Sequence, residues 1–98
     1  MNFKLRTPET ELLCRAFLSV KTTEECLDFF EDILTVQELQ SIAQRLWVAQ
    51  MLDQGQTYDD IARITGASSA TISRVKRALT FGADGYRTIL DRIKPRSQ

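Results

Sequence analysis

Hydroxyl groups and cations share one short segment of the chain, residues 66–79, which reads GASSATISRVKRAL. On a helix, small side chains and hydroxyls permit close approach to base edges, whereas Arg and Lys suit phosphate oxygens. An Arg within reach of a guanine can also bind it with two hydrogen bonds. The segment therefore predicts contact with double-stranded DNA. The predicted DNA-binding residues are Ser68, Ser69, Ala70, Thr71, Ser73, Arg74, Lys76 and Arg77. The alternative for the cations is a solvated helix end stabilised by the helix dipole.

The residues before this segment have the spacing of a helix-turn-helix over 57–79. Thr57 with Asp60 three positions later is typical of a capped helix start, and Ser68 is a candidate N-cap for the second helix. Gly66 lies between them, where a tight turn needs a residue without a Cβ atom. The apolar residues predicted to face inward are Ile61, Ile64, Ile72, Val75 and Leu79. An ordinary helical hairpin is the alternative.

The rest of the chain also shows helical periodicity, and no stretch has the alternating pattern of a strand. We predict an all-α fold of six helices in a single domain, residues 1–98. Its parts are a helical dimerisation part (1–54), the helix-turn-helix (57–79) and a C-terminal helix (82–94). Start signals stand at Thr7-Pro8, at Thr22 or Thr23, and at Thr35 with Glu38; Gly55 closes the third helix near Asp53.

The third predicted helix is apolar around most of its circumference, which indicates burial on several sides. Trp47 lies within this apolar run and is predicted to be a core residue. Three N-terminal helices this rich in Leu and Phe exceed what the short downstream helices can cover, and exposed apolar surface on that scale would favour aggregation. We therefore expect a homodimer in which these helices pack against those of a second copy.

Composition excludes several classes of function. The chain has no histidine and only two cysteines, Cys14 and Cys26, with no CxxC spacing, so the usual zinc sites and His-based catalysis are absent. No phosphate loop or isolated carboxylate pair indicates an enzyme. No signal peptide or membrane span is visible, so we expect a cytoplasmic protein with no membrane partner, no metal and reduced, buried cysteines.

The formal net charge is zero, but the two halves of the chain differ. Residues 1–56 contain five basic and nine acidic side chains, and residues 57–98 contain eight basic and four acidic ones. This asymmetry favours a nucleic-acid surface in the second half. The alternative function is a protein-interaction module that uses the acidic N-terminal helices. Its residues would be Glu24, Glu25, Asp28, Glu31 and Asp32.

The segments ILTVQEL and QRLWVAQMLDQGQTYDDIARITGASSATISR resemble the Trp repressor superfamily, and among its members the Trp-repressor-related YerC/YecD type. The shared pattern is a Leu-Thr helix start, a mid-helix Arg and a Gly-Ala-x-x-Ala-Thr-Ile-(Ser/Thr)-Arg segment. The resemblance is close over residues 30–80. It implies a Trp-repressor-like fold, an intertwined homodimer and a transcriptional regulator, with repression the expected mode, that reads a pseudo-palindromic operator.

The resemblance also implies an effector site. In Trp repressors a mid-helix arginine binds the corepressor carboxylate and a second arginine packs against its indole; these match Arg45 and Arg74. Val75 replaces a glycine, and its side chain is expected to project into or beside the ligand space, while Ala78 replaces a serine that holds the amino group. Both differences argue against L-tryptophan, and no cofactor is firmly indicated. The alternative for Arg45 is an ion pair with Asp53, Asp59 or Asp60.

Overall fold

The computed structural model describes residues 3–95, without the side chain of Phe3. Within that range a 3-10 helix at Phe3–Leu5 precedes six α-helices, and there is no strand. The prediction of an all-α, six-helix fold is confirmed. The helices are α1 (Pro8–Ser19), α2 (Thr23–Ile33), α3 (Val36–Asp53), α4 (Tyr58–Thr65), α5 (Ser69–Phe81) and α6 (Gly85–Ile93).

The chain forms two compact units, the first of which ends at Leu39. In this unit the side chain of Thr7 caps α1 and that of Thr22 caps α2. The Phe17 ring contacts those of Phe29 and Phe30, with centroid distances of 5.3 and 6.0 Å. No residue of α1 or α2 is buried. This unit therefore holds paired aromatic rings and no sealed core.

The cysteines and acidic residues of the first unit are solvated rather than buried. Cys14 is exposed and Cys26 is half-buried, and both are free thiols. The expectation that both are buried is wrong for the single chain, because α1 and α2 cover each other only in part and no residue of either helix is fully buried. On α2, Glu25 accepts a hydrogen bond from the backbone N–H of Lys21 at 3.0 Å, so its carboxylate helps to fix the start of the helix.

Helix α3 begins with the predicted capping box. The backbone N–H of Glu38 donates to Thr35 Oγ1 at 3.1 Å, and the N–H of Thr35 donates to Glu38 Oε1 at 2.9 Å. The hydrogen bond from the Thr35 backbone is the main cause that lowers the pKa of Glu38 below its ordinary value. Gly55, at φ 81°, follows the end of the helix in the left-handed region that glycine accepts without strain.

The second unit begins at Gln40 and contains a sealed apolar core. Residues of α3, α4, α5 and α6 meet in it, so the helix-turn-helix and the last helix share one hydrophobic cluster. Leu52, Ala62, Leu79 and Tyr86 pack against its edge. The buried members of the cluster are Val48, Ala49, Met51, Ile61, Ala67, Ile72, Val75 and Leu90.

Two residues predicted to be buried are exposed in the single chain. Ile64 is 43% exposed, because the covered arc of α4 runs through Ile61, Thr65 and Ala62 and leaves Ile64 just beyond its edge. Trp47 is 47% exposed, because α3 turns the face that carries Val48 toward the core. The prediction that both lie in the core is wrong for one copy of the chain.

Two further features are absent from the described range, residues 3–95. No helix there is long and apolar enough to cross a membrane. No group of three or more His, Cys, Asp or Glu side chains there lies close enough together to hold a metal ion.

Candidate nucleic-acid interface and adjoining cavities

The first helix of the motif, α4, is held by polar contacts at both ends. Thr57 Oγ1 accepts the N–H of Asp60 at 3.1 Å, as the sequence predicts for the N-cap. At the other end Gly66 adopts φ 74° and its N–H donates to the carbonyl of Ala62. The turn therefore forms where the sequence places it.

A second set of hydrogen bonds locks the turn onto α3. Thr65 Oγ1 donates to the carbonyl of Ile61 at 2.7 Å and accepts the N–H of Ala67 at 3.1 Å. The Gln44 side chain on α3 donates from Nε2 to the carbonyl of Thr65 at 3.2 Å. The sequence does not reveal the hydrogen bond between Gln44 and Thr65, because these residues are 21 positions apart and no local pattern relates them.

The second helix, α5, begins at the predicted cap. Ser68 Oγ accepts the N–H of Thr71 at 3.1 Å and lies 3.1 Å from Thr71 Oγ1. Ile72 and Val75 are buried in the core, so they fix which face of α5 turns outward. The prediction that Ile72 and Val75 face inward is confirmed. The Thr71 side chain is half-buried and its hydroxyl is already engaged with Ser68.

The outward face of α5 carries the remaining predicted DNA-binding residues, and all of them are exposed. Among residues 3–95 no salt bridge or side-chain hydrogen bond involves the three cations of this face, so their charge is available to an anion. The surface has small side chains at the N-terminal end of the helix and cations further along it. These exposed residues are Ser69, Ala70, Ser73, Arg74, Lys76 and Arg77.

An open, mainly apolar cavity of about 700 Å³ lies between α3, α5 and α6. Arg45 is the charged residue in its lining; its Nε donates weakly to the carbonyl of Ser41 at 3.4 Å. Its walls have few other polar groups, which suits an apolar ligand with one anionic group. The lining residues are Ile42, Arg45, Leu46, Ala78, Gly82, Ala83, Gly85, Tyr86 and Ile89.

A smaller cavity of about 340 Å³ adjoins the first and is lined by Arg74, Arg77 and Phe81. Ala78 and Gly82 belong to both cavities. Arg45 and Arg74, the two arginines expected to bind an effector, therefore line neighbouring cavities that share two lining residues.

Arg45 does not form the ion pair offered as its alternative. Asp53 binds Arg87 and Lys94, and Asp60 binds Arg63. Within residues 3–95, Arg45 pairs with no acidic side chain, so its charge is not neutralised by an ion pair beside the cavity.

Val75 lines neither cavity, contrary to the expectation that it projects into or beside the ligand space. It is buried in the core because it follows Ile72 by three positions on the inward stripe of α5. Ala78, in contrast, lines both cavities and offers no hydroxyl. The local argument against an amino-group contact therefore depends on Ala78 alone.

Gly82 lines both cavities, which the sequence did not predict. A Cβ atom on Gly82 would lie 2.3 Å from the carbonyl oxygen of Ala78, so the backbone is packed too tightly there for any side chain. In the sequence Gly82 stands only at the predicted start of the C-terminal helix (82–94). A glycine between two helical patterns is the one signal that the sequence offers for it.

Comparisons with known proteins agree with this architecture. A family model described as Trp repressor protein matches residues 9–94. The uncharacterized protein YerC of Bacillus subtilis (strain 168) is 55% identical over 91 residues, which cover 93% of this chain and 88% of that protein. A crystal structure of a candidate Trp repressor from Staphylococcus aureus has a TM-score of 0.91 at 48% identity, covering 100% of this chain and 99% of that one. A TrpR-like protein from Eubacterium eligens ATCC 27750 has the same TM-score and identity, with 99% and 100% covered.

Proposed function

Because the chain belongs to the Trp repressor protein family, we propose that it is a sequence-specific transcriptional repressor that occupies a pseudo-palindromic operator as a homodimer. Family membership itself suggests a DNA-binding regulator. The observation that carries the proposal is the outward face of α5, where Arg74, Lys76 and Arg77 are exposed and unpaired among residues 3–95. Helix α5 presents this face because Ile72 and Val75 anchor its other side.

The proposed reading mode follows from the layout of that face. Ser69, Ala70 and Ser73 are small enough for the start of the helix to approach the floor of a major groove. Arg74, Lys76 and Arg77 would then meet phosphates or a guanine edge. Ser68 and Thr71, which bond each other, would contribute by fixing the helix start close to the DNA.

Replacement of Arg77 by Ala is expected to weaken operator binding by about 1–3 kcal/mol if Arg77 reads a base. The operator is first selected from random DNA, and affinity is then measured by fluorescence anisotropy on that site and on a shuffled one. A loss of affinity for the selected site alone indicates that Arg77 contacts a base. An equal loss of affinity for the selected and shuffled sites indicates that it contacts phosphate. Arg92→Ala is the matched control, since Arg92 is an exposed arginine on α6. Failure of the wild-type chain to select any site at moderate salt contradicts specific regulation.

The homodimer is proposed from the apolar surface that one chain leaves uncovered. Leu12, Leu18 and Leu27 on the first two helices and Trp47 on α3 are all exposed. A second copy that covers these side chains would supply the apolar burial that the first unit lacks. Two recognition helices about 34 Å apart would then meet successive major grooves, which is the basis of the palindromic operator.

Leu18→Glu tests this interface. Leu18 is 85% exposed, so in a monomer the change would be nearly neutral. If a second copy covers Leu18, a buried unpaired carboxylate would weaken the dimer by at least about 2 kcal/mol. Analytical ultracentrifugation over a concentration series measures the dissociation constant. Gln54→Glu adds the same charge at an exposed polar position and serves as the control. A wild-type chain that sediments as a monomer at micromolar concentration contradicts the proposal.

We further propose that the adjoining cavities bind a small-molecule effector through Arg45 and Arg74. A flat guanidinium suits both a carboxylate and the face of an aromatic ring. The missing hydroxyl at Ala78 disfavours L-tryptophan, whose amino group would lack that partner. The DNA selection described above, repeated with and without amino acids and aromatic metabolites, would identify the effector.

A further inference from the structure

Asp53, the last residue of α3, joins α3 to α6. Its side chain is only 11% exposed. Oδ1 accepts a hydrogen bond from Arg87 Nη1, and Oδ2 lies 3.3 Å from Lys94 Nζ. Lys94 also lies 3.6 Å from Asp91 on α6 itself. The mostly buried carboxylate of Asp53 therefore forms ion pairs with two cations, Arg87 on α6 and Lys94 at its C-cap.

The start of α6 has no side-chain cap. The residue before it, Asp84, adopts φ 64° and makes no side-chain hydrogen bond to the helix start. Only Gly82, Ala83 and Asp84 connect α5 to α6. The orientation of α6 therefore depends on contacts made along the helix, namely the buried Leu90, the partly buried Tyr86 and the ion pairs of Asp53.

Helix α6 is placed where its orientation affects the candidate site. It contacts α5 directly, and through Tyr86 and Ile89 it forms one wall of the larger cavity. The lining also includes Ile42, Arg45 and Leu46 from α3. Contacts that hold α6 against α3 therefore also hold the two cavity walls together and support the inner side of α5.

We propose that Asp53 is a positioning residue: through Arg87 and Lys94 it holds α6 against α3, and α6 in turn holds α5 in the orientation that reads DNA. Asp53 itself touches no nucleic acid. The part of this inference that concerns DNA rests on the proposed function. The hydrogen bond from Arg87, the largest contribution, keeps the pKa of Asp53 below its ordinary value, so the carboxylate is charged at neutral pH.

The test is Asp53→Asn in the full chain, followed by amide hydrogen exchange of the separate helices. We expect exchange in α6 and α5 to become about three- to tenfold faster, with α4 unchanged. Affinity for the selected DNA should fall by a similar factor, while its dependence on salt concentration stays the same, because no phosphate contact is removed. Replacement of a residue that contacts phosphate would lower the salt dependence instead.

Asp91→Asn is the matched control. It removes the same charge and a partner of the same Lys94, but among the described residues the ion pair of Asp91 lies within α6 and its C-cap and does not reach α3. Its effect on exchange and on DNA affinity should be smaller than twofold. If Asp53→Asn does not fold, Lys94→Gln removes one of the two ion pairs of Asp53, together with the pair between Lys94 and Asp91, at an exposed side chain. It should change both measurements in the same direction.

Three outcomes overturn the proposal. Unchanged exchange in α6 means that Asp53 does not hold this helix. Faster exchange in α6 with unchanged exchange in α5 and unchanged DNA affinity means that its effect ends at α6. Equal effects of the Asp53 and Asp91 variants mean that only local charge matters. If the wild-type chain selects no DNA, the proposed function fails separately, and exchange in α5 alone decides the positioning role.

Discussion

Ile61→Ala is expected to lower the free energy of unfolding by about 2–5 kcal/mol, which is the range for removing a large aliphatic side chain from a packed core. Ile61 is fully buried and is the residue by which α4 enters the core shared with α5 and α6. Its loss would leave a cavity beneath the helix-turn-helix. Urea unfolding followed by circular dichroism at constant protein concentration measures the change, and the slope of the transition should stay unchanged.

Ile64→Ala provides a matched control on the same helix. Ile64 is the same residue type three positions later, but it lies outside the covered arc of α4. Its replacement should cost less than about 1 kcal/mol. Equal costs for the two variants would show that a second copy or another surface covers Ile64, and that the core of one chain does not account for the stability of α4.

Gly82→Ala is expected to destabilise the corner between α5 and α6 by about 1–3 kcal/mol. The added Cβ would lie 2.3 Å from the carbonyl oxygen of Ala78, which belongs to the backbone of α5 and cannot rotate away. The end of α5 or the start of α6 must therefore shift. Because Gly82 and Ala78 line both cavities, this shift would also change the proposed effector site.

Gly85→Ala is the control for that substitution. A Cβ on Gly85 meets no atom within 4 Å, and the residue begins α6 without a positive φ. Alanine there should be neutral or stabilising by up to about 1 kcal/mol, because it restricts the unfolded chain and favours helix. Thermal unfolding of both variants measures the contrast. A Gly82 variant as stable as the Gly85 variant would contradict the close contact with Ala78.

Local signals predicted the starts of α4 and α5 and the turn between them. Thr57, Gly66 and Ser68 occupy the cap and turn positions expected of them. Each forms contacts within three or four positions along the chain, so the residue types and their spacing contain nearly all of the necessary information. For the same reason the prediction of a capping box at Thr35 and Glu38 is confirmed.

Burial was predicted less well, because a helix can rotate without any change in its hydrophobic pattern. Ile61 and Ile64 share one periodic stripe, but only the packing of α4 against its neighbours shows which of them is sealed. Val75 illustrates the same limit. The substitution of a glycine by valine suggested a blocked ligand space, whereas the rotation of α5 turns this side chain into the core.

The sequence by itself determined the helix count, the caps, the turn and the outward cations of α5, because local backbone geometry and short spacings govern them. Only the tertiary structure decided that Arg45 and Arg74 line adjoining cavities, that Gly82 has no room for a side chain and that Asp53 joins α3 to α6. Those features arise between residues far apart in the chain, where relative helix orientation sets every distance and no periodicity records it.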